Sequence, residues 1–176
     1  MTEHAVHHAF DILMIGASEV GRFLLWVAIA LLGVKLRRVP GKAVCQMCLA
    51  MLLAFLINDV TLKPVVHAPR PFQRDVQARV VGPRPNDYSF PSGHAAASFA
   101  GAVALARGWP AGAVIWFALT AFISYTRIYL GVHYPIDVVC GALVGIACGW
   151  LAVGRTRWQS PRLHSATASH QPPTAR

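Results

Sequence analysis

Residues 43–71 read AVCQMCLAMLLAFLINDVTLKPVVHAPRP. The stretch is apolar until Asn58 and Asp59, ends at Lys63, and runs into a segment of prolines and basic residues. A run from Ala43 to Leu62 has the length of about 20 residues that a helix needs to cross a bilayer. Polar side chains so deep in a span face protein or water rather than lipid. Asp59 lies about one helical turn before Lys63, so the simplest account of the carboxylate is a local ion pair that orients the lysine.

The rest of the chain agrees with a bilayer. Of 176 residues, 55% are hydrophobic and 13% charged, with a mean hydropathy of +0.47, so too few polar side chains remain to cover a soluble globule. The formal net charge of +9 is spread in short clusters between apolar runs. That pattern sets orientation and meets anionic headgroups; it does not form the basic stripe of a nucleic-acid binder, which is excluded. The length fits one domain, expected over residues 1–155, followed by a disordered cytoplasmic tail over 156–176 that is rich in Ser, Thr, His, Pro and Arg. Residues 1–11 are His-rich and acidic rather than Lys/Arg-led, so no cleaved leader is expected and the first span stays in the membrane.

The predicted fold is all-α: a polytopic transmembrane helical bundle of about five spans plus an N-terminal interfacial helix over residues 4–18. The spans fall at 20–34, 43–62, 92–106, 110–126 and 136–154. Arg22 is read as a snorkelling residue near a span end. Gly141, Gly145 and Gly149 recur every four residues and mark a close helix contact. Cys45, Cys48, Cys140 and Cys148 sit within apolar runs and read as small filler rather than a disulfide or metal framework. Trp26, Trp109, Trp116 and Trp150 read as interfacial or packing aromatics.

Five spans alternate the loops between two faces. Lys35, Arg37, Arg38, Lys42, Arg107, Arg155, Arg157, Arg162 and Arg176 fall on one, and that face is taken as cytoplasmic. The loops 63–91 and 127–135 then share the extracytoplasmic face. They carry nearly all the unusual residues, in KPVVHAPRP (63–71), PSGH (91–94) and TRIYLGVHYPID (126–137).

Phosphoryl transfer explains these residue types. It needs charge stabilisation on nonbridging oxygens, an in-line nucleophile and an acid for the leaving oxygen. Arg70 and Arg127 offer planar forks and Lys63 a point charge. Ser92 and Gly93 open a helix, so backbone N–H groups and the hydroxyl can face an anion. His133 and Asp137 are four apart, about one helical turn. The carboxylate can hold one ring nitrogen and leave the other free to attack. His94 is then free to act as general acid and later as general base.

Lys63-x6-Arg70-Pro71, Pro91-Ser92-Gly93-His94 and Arg127-x5-His133-x3-Asp137 together resemble the three-part signature of the type 2 phosphatidic acid phosphatase superfamily, which includes vanadium haloperoxidases and glucose-6-phosphatase. The match covers residues 63–137; Thr126 stands where a serine usually precedes the arginine. The resemblance implies an all-helical fold and metal-independent hydrolysis through a phosphohistidine, with no cofactor. His133, His94 and Asp137 take the catalytic roles, and Lys63, Arg70, Ser92, Gly93 and Arg127 bind phosphate.

The expected partners are the bilayer and a lipid phosphate or diphosphate, best undecaprenyl diphosphate. Phosphatidylglycerol phosphate, phosphatidic acid and lipid A phosphate remain alternatives. The expected place is a bacterial inner membrane, with the site on the periplasmic side. Two other readings stay open: His94, His133 and Asp137 as metal ligands, and a non-catalytic protein that binds or translocates a lipid phosphate.

Overall fold

The computed structural model describes residues 2–75 and 77–154. The expectation for the tail over 156–176 lies outside them. Helices account for the described architecture, and no strand occurs among these residues. The order is α1 (Thr2–Gly21), α2 (Leu24–Lys35) and α3 (Gly41–Phe55), which continues through a π-helical stretch (Leu56–Leu62) into α4 (Lys63–Val66). After α5 (Pro71–Arg74) and a loop come α6 (Gly93–Gly108), a 3-10 turn (Pro110–Gly112), α7 (Ala113–Tyr129) and α8 (Pro135–Val153).

The bundle is built around α6. Its run of Ala and Gly leaves almost no side chain between its backbone and its neighbours, and residues 95–98 and 100–105 are all buried. Against it lies the glycine row of α8. A Cβ on Gly141 would stand 2.4 Å from the Ser92 carbonyl oxygen, and one on Gly145 2.2 Å from that of Ala96. The row is thus the close helix contact expected from its spacing. On another side, fully buried Trp26 of α2 packs over Gly101 and donates from Nε1 to Ser98 Oγ at 3.3 Å. Large apolar side chains point outward instead, including Leu24, Leu31, Val114, Leu143 and Leu151, each at least 60% exposed. A surface this apolar suits lipid.

The spans differ from a row of five equal ones. Among the described residues three stretches are long and apolar enough to cross a membrane alone: Gly41–Arg74, Pro110–Tyr129 and Pro135–Val153. Helix α2 has 12 residues, roughly 18 Å, and is long enough to cross only together with His7–Gly21, from which it is bent by 66°. The expected first span therefore begins too early, because the chain breaks at Arg22 and Phe23. The 16 residues of α6 reach roughly 24 Å and lie within protein, so packing rather than hydropathy holds this helix. The N-terminal helix does more than lie at an interface. Asp11 of α1 accepts from Tyr129 Oη at 2.7 Å and pairs with Arg79 at 3.2 Å, so α1 is tied to α7 and the polar loop.

Because the glycine row meets backbone carbonyls that cannot yield, Gly145→Val is expected to lower stability by about 1–3 kcal/mol. Gly16→Ala, which meets nothing within 4 Å inside α1, should instead raise it by up to about 1 kcal/mol. Thermal unfolding of the two variants in detergent compares them directly.

Candidate active site

All three motif segments reach one end of the bundle. Each arrives by a local feature of the sequence. In the π-helical stretch, Asn58 turns inward and donates to the Pro91 carbonyl at 3.1 Å, which joins the end of α3 to the start of α6. Asp59 Oδ1 takes Lys63 Nζ at 3.0 Å, the expected local pair, and also Arg22 Nη2 at 3.0 Å. The same carboxylate fills the space beside Gly93, where a Cβ would come within 2.6 Å of it. Gly93 thus makes room for Asp59.

Arg70 is 1% exposed and spends its guanidinium on the neighbouring loops. Its Nε donates to the Asp87 carbonyl at 2.8 Å, Nη1 to the Val132 carbonyl at 2.6 Å, and Nη2 to Asp87 Oδ1 at 2.7 Å. Its Nη1 also stands 3.3 Å from His133 Nε2. Asp87 Oδ2 closes the cluster on Lys63 Nζ. Burial pushes the Asp87 carboxyl up, but Lys63 and Arg70 outweigh it and hold the group well below the usual carboxylate range.

His133 lies in the loop before the last helix, as the loop expected over 127–135 has it, so its four-residue spacing to Asp137 is not a turn of one helix. Pro135 starts α8, with Tyr134 as its N-cap, so His133 belongs to the preceding turn. In that turn Gly131 has φ +70, and a Cβ there would stand 2.1 Å from the Arg79 carbonyl, so only glycine fits. Asp137, in the first turn of α8, accepts from the Tyr134 N–H at 2.9 Å and from the Ser89 hydroxyl through the same Oδ2. His133 Nδ1 lies 3.4 Å from that oxygen, within ion-pair range but too poorly aligned for a hydrogen bond. Uncomplexed sites often hold such contacts long.

Beside the histidine opens a cavity of about 240 Å³ whose walls include Lys63, Arg70, His94, Arg127 and His133. Its volume matches roughly eight waters, room for a phosphate-sized group but not for a long lipid chain. Arg127 donates from Nη1 to Ser18 Oγ, while its buried Nε has no hydrogen-bond partner among the described residues. Ser92, Gly93 and Asp137 are buried behind the wall. The Ser92 N–H donates to the Asp137 carbonyl at 2.9 Å, and its hydroxyl caps Ala95 N at 3.5 Å. The Ser92 N–H expected to face an anion therefore joins α6 to α8, and its hydroxyl caps α6. Thr126 donates to the Ile123 carbonyl at 2.7 Å and stays within its helix. Among the described residues no group of His, Cys, Asp or Glu side chains is placed to hold a metal ion.

Several site residues were missed by the motif reading. Arg22, read as a headgroup anchor, and Glu19 line the cavity, and Ser18 reaches Arg127 from α1. Asp87 and Ser89 come from a loop whose path only folding fixes, through the Ser89 N–H on the Ala68 carbonyl at 2.9 Å. The two acidic residues of that basic loop, Asp75 and Asp87, were the available signal, and the sequence does not say which of them turns inward.

The fold and site define an all-helical, membrane-type protein with a buried imidazole at the wall of a cation-lined cavity, a place suited to a phosphate group. The chain belongs to the PAP2 superfamily, whose model matches residues 43–161. It is 34% identical over 142 residues to an undecaprenyl-diphosphatase of Sulfolobus acidocaldarius, covering 80% of this chain and 68% of that one. With a lipid A 4'-phosphatase of Bacteroides thetaiotaomicron it shares 38% over 115 residues, 60% of this chain and 50% of that one. Among solved structures, Aquifex aeolicus LpxE superposes with a TM-score of 0.71 at 29% identity, covering 82% of this chain and 86% of that one. A phosphatidylglycerolphosphate phosphatase from Bacillus subtilis shares the fold, with a TM-score of 0.59 at 24% identity over 84% and 80% of the two chains.

Burial pushes the His133 imidazole down to about 4, with Arg70 and Arg127 adding to the shift and Asp137 opposing it. A lowered value keeps the ring neutral above that pH and protonates it only below. If His133 must be neutral to act, kcat/KM corrected for substrate ionisation should hold through pH 5.5 and fall as pH drops toward about 4. An acidic limb near the free-imidazole value would show that the ring is not held neutral.

Proposed function

We propose that the chain hydrolyses the terminal phosphate of a lipid phosphomonoester or diphosphate through a phosphohistidine on His133, with no metal ion. The observation that carries this reading is the setting of His133. One ring nitrogen faces Asp137 at 3.4 Å and the other lies 3.3 Å from Arg70 on the cavity wall. Asp137 orients the ring through Nδ1, so Nε2 keeps the lone pair that attacks phosphorus. As substrate enters, its nonbridging oxygens take up donors of Lys63, Arg70 and Arg127. Ser92 and Gly93 contribute the α6 N-terminus, whose dipole favours an anion.

His94, on the same cavity, protonates the leaving oxygen as the P–O bond breaks and the P–N bond forms. It then takes a proton from the water that attacks the phosphohistidine, releasing phosphate and restoring His133. Undecaprenyl diphosphate, hydrolysed to undecaprenyl phosphate, is the first substrate to test. The relationship to an undecaprenyl-diphosphatase and the cavity's fit to a headgroup support it. Lipid A phosphate, phosphatidylglycerol phosphate and phosphatidic acid follow. The distribution of Lys and Arg between the two faces supports an inner-membrane protein with its site on the periplasmic side.

The test is phosphate release from this panel of lipids in detergent, with and without chelator. His133→Ala should lose about a thousandfold or more of the activity, and His94→Ala about a hundredfold or more. Substrate labelled in its terminal phosphate should leave label on the wild-type protein after an alkaline quench and none on His133→Ala. Release that persists in His133→Ala would sink the mechanism, and release that stops with chelator would restore the metal reading.

A further inference from the structure

Two of the three cations assigned to phosphate already hold an anion. Asp87 spans them, with Oδ1 2.7 Å from Arg70 Nη2 and Oδ2 on Lys63 Nζ. A carboxylate bridging two cations with two oxygens presents what two nonbridging oxygens of a phosphate would present. Its exposure is unlike theirs. The side chains of Lys63 and Arg70 are 5% and 2% exposed, that of Asp87 50%. The anion is therefore the solvent-facing member of the cluster, and its side chain can rotate away while its backbone carbonyl stays on Arg70.

Nor do the cations need Asp87 to stay in place. Lys63 keeps Asp59, which is 12% exposed, locked beside Gly93 and paired to Arg22 as well. Arg70 keeps the backbone carbonyls of Asp87 and Val132. Arg127 makes no bond to Asp87 and has a buried Nε without a partner.

Building on the phosphatase reading, we propose that Asp87 determines specificity as an internal anion, held on Lys63 and Arg70 until a dianionic phosphate terminus displaces it, and so keeps monoanionic phosphodiester headgroups out of the site. A phosphodiester carries one charge and two nonbridging oxygens, as the carboxylate does, so exchanging one for the other gains little. A terminal phosphate carries a charge of about −1.5 to −2 and three free oxygens. It can satisfy Lys63 and Arg70 and reach Arg127 besides. A site at the surface of a bilayer rich in phosphodiesters thereby discriminates by what it refuses.

Tungstate, a tetrahedral dianion, tests this without turnover. Its Kd is measured by calorimetry for wild type, Asp87→Asn and Asp87→Ser, in micelles of a nonionic, phosphate-free detergent alone or with phosphatidylglycerol added. Thermal unfolding establishes that each variant is folded. The expected result without phosphatidylglycerol is binding roughly fivefold tighter in both variants, the scale of a half-exposed ion pair. Adding phosphatidylglycerol should weaken binding severalfold in the variants and leave the wild type nearly unchanged.

Equal or weaker tungstate binding in both variants would make Asp87 a positioning residue for Lys63 and Arg70 and overturn the proposal. Tighter binding with the same sensitivity to phosphatidylglycerol as wild type would overturn it too, since no filtering would be left. These outcomes stand apart from the phosphatase reading, which fails only if the wild type releases no phosphate from any lipid of the panel.

Discussion

A single guanidinium joins the parts of this site. Arg70 is buried, and its donors reach the loop before α6 at Asp87, the turn before α8 at Val132, and the imidazole of His133. Burying that charge is tolerable only where carbonyls and a carboxylate surround it. The loops must therefore close around Arg70, and in closing they carry Asp87 and His133 into place. The position of His133 is thus a consequence of satisfying a buried cation.

The bundle provides the rigid floor beneath. Small residues on α6 and the glycine row of α8 bring two backbones together until the Ser92 N–H can bond the Asp137 carbonyl at 2.9 Å. That bond fixes the start of α6, next to His94, against the first turn of α8, next to His133. A larger residue in the row would separate the helices and with them the two imidazoles, so helix packing and site geometry are one constraint.

Charge balance sets the rest. Lys63, Arg70, Arg127 and Arg22 converge on one small cavity, and like charges so close repel unless anions lie among them. Asp59 is the permanent one, locked beneath Gly93 by space as well as charge. Asp87 is the exposed one. The same repulsion that would destabilise an empty cluster makes it receptive to a phosphate, and it lowers the proton affinity of His133 as well.

Much was legible in the chain itself. Hydropathy determined an apolar helical bundle, the four-residue recurrence of Gly141, Gly145 and Gly149 determined a close helix contact, and the order of Lys63, Arg70, His94, Arg127 and His133 determined that their segments meet, because span ends alternate between faces. These are properties of periodicity and length, which a sequence carries directly. The length of each helix inside the membrane was less legible, since α6 is held by packing that hydropathy does not report. Only the tertiary structure decided that Asp137 meets His133 from the first turn of α8, that Ser92 is engaged in joining helices, and that Arg22, Asp87 and Ser89 belong to the site. Each depends on how a loop or a broken helix closes around buried charge, and that closure is a balance of contacts between residues far apart in sequence.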